Sequence, residues 1–160
     1  MSVRENYTIQ FEYHWRTTDH LLNLAASVDR AGLERPSVYG GRSIRDLFFH
    51  ILATDAGWRG ALETGQRPAP LASQDYPDLT ALRSGLADEE AEWHAFLVGL
   101  DDAALESEAV LRSGGRTMRV AHWRVLQHLV LHGMQHHAEL AQLLTAVDRS
   151  PGDLDFIFFS

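Results

Sequence analysis

The stretch HLVLHGMQHHAELAQLL, residues 128–144, holds four of the chain's nine histidines. His128, His132 and His136 recur at every fourth position, and Val125, Leu129, Glu139 and Leu143 share or border their face. At about 100° per residue the three histidines span a sector about 80° wide, while His137 lies about 140° from His132. A helical face that is apolar except for imidazoles and one glutamate turns toward the protein interior, and His137 points elsewhere. The pattern predicts a long last helix, from Ala121 to Val147.

Working outward, residues 5–31 place Ile9, Phe11, Trp15, Leu21, Leu22, Leu24 and Val28 at spacings of three and four, which predicts a long first helix. AGLERPSVYGG (31–41) breaks it with Pro36, Gly40 and Gly41 and reads as a helix-to-helix connection. Ser43 then supplies an N-cap, with Asp46 three residues later in the S-x-x-D form of a capping box, and the second helix runs to Gly65. QRPAPLASQDYP (66–77) is a loop, and Asp78 caps a third helix. Leu79, Leu82, Leu86, Trp93, Phe96, Leu97 and Leu100 form one face of that helix, leaving DEEAE (88–92) to solvent. EAVLRSGGRTMRV (108–120) predicts a small hairpin about Gly114 and Gly115. The end, DRSPGDLDFIFFS (148–160), turns at Pro151 and Gly152 before an apolar tail expected to pack back on the body. Four long helices and one hairpin predict an all-α four-helix bundle, a single domain over residues 1–160.

A chain of 160 residues with 45% hydrophobic content and four tryptophans can fill one core. There is no apolar run of membrane-spanning length, and MSVRENYTIQFEYHW lacks the basic start and apolar stretch of a secretory signal, so a cytoplasmic location is expected. The absence of cysteine removes disulfides, thiolate ligands and a cysteine nucleophile. All 14 basic side chains are arginine, which removes Schiff-base chemistry and a phosphate-loop lysine. With a formal net charge of −8 and scattered arginines, no basic stripe is available to follow a phosphate backbone. The expected partner is a small-molecule substrate, not a nucleic acid or a membrane.

Any metal must therefore be held by His, Asp or Glu. Imidazoles four apart on a helix converge on one cation, and a third ligand from a facing helix completes the three-ligand set that leaves a position open for water or substrate. His50 is the candidate. It lies mid-helix among Leu47, Phe48, Phe49, Ile51 and Leu52, with Asp46 and Thr54 one turn away. A lone histidine on an apolar face is ordinarily a core side chain with a satisfied hydrogen bond, so the metal reading is carried by the spacing of His132 and His136.

His128 extends the row, but three successive turns do not easily reach one ion, so it backs the ligands or lines the pocket. Asp46 has its capping role beside that of a hydrogen-bond partner for His50. Glu139 stays open among a fourth ligand, an acceptor behind a ligand, and a catalytic proton acceptor. His14, His20, His94 and His122 carry no spacing signal, and core or surface positions are their simplest reading. Arg45, Arg59 and the aromatics of the first helix are candidates for pocket lining. A His-Glu-x-x-His site is excluded because Gly133 follows His132, and paired Glu-x-x-His motifs are absent, since His136 to Glu139 runs in reverse. A mononuclear three-histidine site remains.

The chain resembles the DinB/YfiT-like superfamily of four-helix-bundle proteins, which is distinct from the similarly named DNA polymerase. FEYHWRTTDHLL (11–22) is similar to its first helix, SIRDLFFHILATDAGW (43–58) to its second, residues 128–144 to its fourth-helix pattern H-x-x-x-H-x-x-Q-L, and GDLDFIFF (152–159) to its tail. The resemblance implies that His50, His132 and His136 bind one divalent ion, most often nickel or zinc. Where relatives often have His-Arg-Gly-Gln-Leu this chain has HHAEL (136–140), so His137 stands at the Arg position and Glu139 at the Gln position. A carboxylate one turn from a ligand changes the charge balance of the ion.

Some members of the family it resembles are thiol-dependent transferases or isomerases that use bacillithiol, mycothiol or glutathione, so the resemblance further implies an enzyme such as a thiol-dependent S-transferase, with the ion stabilising the thiolate. Two other readings stand beside it. One is metal-assisted hydrolysis with Glu139 taking the proton. The other is a non-catalytic metal- or ligand-binding stress protein, with a homodimer joined by a helical face as the expected assembly.

Overall fold

The computed structural model describes residues 1–37 and 41–159. Helix α1 runs Val3–Ala25 from a complete capping box, in which the Ser2 hydroxyl accepts from the Glu5 amide and the Glu5 carboxylate accepts from the Ser2 amide. It ends six residues before the expected Ala31. The Asp29 side chain accepts from the Gly32 amide and so caps a separate short helix, α2 (Arg30–Glu34), which competes with continuation of α1. The predicted connection over 31–41 thus begins as helix, and its residues 38–40 lie outside the described residues.

Helix α3 (Ile44–Thr64) starts at the expected Ser43 cap and stops at Gly65, whose φ of 69° is the left-handed C-cap conformation that glycine adopts without strain. Helix α4 (Leu79–Val98) starts at Asp78, as expected. After a short helix α5 (Asp102–Glu106), strands β1 (Glu108–Ser113) and β2 (Arg116–Ala121) form the predicted antiparallel hairpin, and Arg112 pairs with Gly65 and Arg67 to fasten it to the end of α3. Helix α6 (His122–Thr145) follows directly. The tail returns as expected: Tyr13 donates its hydroxyl to the Leu154 carbonyl and packs edge-on against Phe156 and Phe159. Ile157 and Phe158 nevertheless remain exposed.

Around the bundle α1 neighbours α6 and α4, and α3 neighbours α4 and α6, so α1 and α3 face each other across a diagonal. The core divides in two along the bundle. One half packs Phe11, Trp15, Trp93, Leu97, Leu126 and Leu129; the other packs Leu21, Phe48, Ile51, Leu82, Leu140 and Leu144. Between these halves in the sequence of every long helix lies a buried polar residue: Thr17 and Thr18 on α1, Asp55 on α3, Glu89 on α4, and His136 and His137 on α6, with His14 buried one turn before Thr18. Burial of polar groups is costly unless they are paired. No helix among the described residues is long and apolar enough to cross a membrane.

Candidate metal centre

His50 on α3 and His132 and His136 on the neighbouring α6 come together with one ring nitrogen each, all within 4.8 Å of one another. The Nε2 atoms of His132 and His50 are 3.0 Å apart, as are those of His136 and His132. Two nitrogens bound tetrahedrally to one ion at about 2.0–2.1 Å lie about 3.3 Å apart, so the set fits a shared cation. His136 donates its Nδ1–H to the Glu139 carboxylate at 3.1 Å, which fixes the tautomer and leaves Nε2 as a lone pair facing the other two rings.

Burial keeps His50 and His132 in the neutral form that binds metal. Burial, reinforced by the Arg42 charge and by His136, pushes His50 down to about 4. Burial, then His136, His50 and His128, pushes His132 down to about 3. Neutral imidazole binds metal, so neither ring has to give up a proton near pH 7. Burial raises the Glu139 carboxyl, but hydrogen bonds from His136 and Gln135 and the charge of Arg42 outweigh it and hold the group below the usual range.

The depressed histidines also predict a pH dependence. Between about pH 6.5 and pH 4 the unfolded chain binds protons that the folded chain refuses, so stability falls as pH falls through that window. Denaturant midpoints of metal-free protein should decrease from about pH 7 to pH 5. A flat profile would show that the two rings titrate alike in both states.

The other anticipated residues lie around this cluster. His128 is exposed, with its ring 5.8 Å from His132 and edge-on to Trp58 at 5.5 Å, so it borders the trio. The Asp46 amide donates to the Ser43 cap at the start of α3, while its carboxylate accepts from Arg45 and does not close the capping box. Arg45 in turn donates to the carbonyls of Ser73 and Tyr76 and ties down the 66–77 loop. His50 opens into a cavity of about 750 Å³ whose wall includes Thr54, Arg59, Arg67, Tyr76 and Glu89. Arg59 grips Glu89 with two hydrogen bonds of 2.6 and 2.9 Å and also holds Glu63. Burial raises the Glu89 carboxyl even so.

His20 contacts the Pro151 carbonyl, His94 packs at a tilt against Trp15, and His122 meets Ser107. His137 points away from the trio, as its helical angle requires, but into the core beside His14. His14 bonds to Asp55, a buried pair that no sequence spacing marked. The only sequence traces were an aspartate within the apolar α3 and a glycine within α6.

The family model that matches this chain is described as the DinB family and covers residues 1–160. The chain belongs to the DinB family. Among solved structures this DinB protein is similar to YfiT from Bacillus subtilis, at 16% identity with a TM-score of 0.69 over 94% of this chain and 91% of the other. YfiT is described as a probable metal-dependent hydrolase with an unusual four-helix bundle topology. It is also similar to a DinB-like protein, YjoA, from Bacillus subtilis, at 14% identity with a TM-score of 0.64 over 88% of this chain and 93% of the other. At such identities the likeness carries the bundle fold alone. No curated protein matches the chain in sequence.

Proposed function

We propose that this DinB protein is a metal-dependent enzyme in which His50, His132 and His136 hold one divalent ion, nickel or zinc, and that it transfers a low-molecular-weight thiol to an electrophilic small molecule. The observation that carries this reading is the convergence of three imidazole Nε2 atoms at the edge of the cavity beside His50. Three protein ligands leave a position for a small molecule. An ion held there would supply Lewis acidity, lowering the pKa of a bound thiol so that the thiolate exists near neutral pH. The chain has no cysteine, so the thiol comes from a cosubstrate. Glu139 orients His136 from behind, and the Arg59–Glu89 pair stiffens the cavity wall.

Elemental analysis of untagged protein, wild type beside His50→Ala, tests the centre. The wild type should carry close to one ion per chain and the variant little, whereas equal metal in both would end the reading. Metal-loaded wild type should consume bacillithiol, mycothiol or glutathione in the presence of monochlorobimane. Inactivity with all three would remove the transferase and leave the centre standing.

Hydrolysis is the second reading, favoured by the carboxylate of Glu139 beside a ligand ring. Glu139→Gln separates the two roles. A proton acceptor lost to Gln would abolish ester turnover at unchanged metal content, whereas an orienting acceptor survives because Gln still offers an oxygen to His136 Nδ1.

A further inference from the structure

On the face of α6 that meets α1 lies a second set of histidine contacts, offset by one residue from the trio. Gly133 follows His132 and His137 follows His136, so each lies about 100° around the helix from a proposed ligand, on the same two turns. His14 fits against Gly133 so closely that a Cβ at that position would overlap its Nδ1. A glycine inside a helix lowers helix stability relative to alanine, and here its missing side chain is what admits the ring.

The His14 ring stacks on His137, with centroids 5.0 Å apart and planes at 28°. The Thr18 hydroxyl gives its hydrogen to the His14 carbonyl at 2.9 Å and so receives the Nε2–H of His137 at 2.8 Å. Across the diagonal, His14 donates its Nε2–H to Asp55 Oδ2 at 3.0 Å, five residues after His50 on α3, and both side chains are only 4% exposed.

We propose that His14 and Asp55 are positioning residues for the metal centre: their bond, seated in the Gly133 notch, sets the separation of α3 and α6 and the rotation of α6 about its axis. This rests on the reading that the trio holds an ion. His14 touches α6 at Gly133 and His137 and touches α3 at Asp55, so one ring references both ligand-bearing helices. Rotation of α6 would carry His132 and His136 together away from His50, and ligand sets tolerate displacements of only about 0.5 Å. The arrangement is expensive as a core. His14 Nδ1, Asp55 Oδ1 and His137 Nδ1 are buried without a hydrogen-bond partner among the described residues, whereas apolar side chains would fill the same space without orphaned polar atoms.

The test titrates metal-free protein with Co²⁺ alone and reads affinity and the visible d–d band. Asp55→Leu removes the bond, and Gly133→Ala displaces the ring. Each should weaken cobalt binding about 10–100-fold, the usual loss when an outer partner of a ligand set is removed, and shift the band. The double variant His14→Ala with Gly133→Ala gives the new methyl the space of the missing ring. It should relieve the overlap created by Gly133→Ala but leave the affinity and the band altered, since Asp55 loses its partner. Wild-type affinity and spectrum in folded Asp55→Leu or in the double variant would overturn the proposal, because a merely structural role would change only stability. Failure of the wild type itself to bind cobalt would instead overturn the metal centre.

Discussion

Replacing His132 by alanine is expected to strip the protein of stoichiometric metal while leaving the bundle folded. His132 is the middle member of the trio, with its Nε2 3.0 Å from both other rings. Without it two neutral nitrogens remain, one short of the set that holds an ion, and affinity should fall by more than the roughly 10–100-fold that loss of an outer partner costs. The ring contributes little to the metal-free fold. Its Nδ1 is buried without a partner among the described residues, and it stays neutral down to about 3.

The melting temperature of metal-free His132→Ala should therefore match or exceed that of metal-free wild type. The increment conferred by metal should vanish. At 100 times Kd that increment is about 2.7 kcal/mol, or about 5–11 °C for a chain of this size. Melts with and without nickel or zinc, paired with elemental analysis, decide it: a variant that keeps its metal and its increment removes His132 from the centre.

Trp93→Ala is expected to be the most damaging core truncation, costing about 3–5 kcal/mol and lowering the melting temperature by about 6–20 °C. The indole is fully buried on α4, 5.0 Å from the Phe11 ring and 5.4 Å from Phe96, within the half of the core that joins α1, α4 and α6 to the hairpin. Its removal leaves a cavity that four packed elements cannot easily close. Trp93→Phe should cost less, because the indole N–H has no partner to lose among the described residues. The trio lies outside this half of the core, so metal per folded chain should be unchanged. Denaturant unfolding measures the loss, and a cost under about 1 kcal/mol would mean that this cluster does not carry its half of the core.

The helix starts were legible because caps are local. Ser43 and Asp78 bond amides three residues ahead, and such signals are written within four residues. The end of α1 was not legible, since the apolar spacing continues to Val28 and only the Asp29 cap shows where a new helix begins. His132 and His136 were legible for the same local reason. Glu139 was not, because i, i+3 spacing permits several contacts. Its carboxylate lies behind His136, on the ring nitrogen that faces away from the trio. Glutamine would offer an oxygen to the same N–H, so the two residues are alike in geometry at this position and differ in charge.

The Arg59–Glu89 and His14–Asp55 pairs join residues 30 and 41 positions apart, and no periodicity relates such positions. Sequence alone determined what one helix can do: the regular rise and turn of the backbone places His132 above His136, sends His137 to another side, and separates apolar from charged faces. Tertiary structure decided what two helices do together. The 3.0 Å approach of His50 to His132, the diagonal bond from His14 to Asp55 and the polar band dividing the core depend on helix separations and rotations. Those are set by the summed packing of many side chains from distant parts of the chain, not by any local rule.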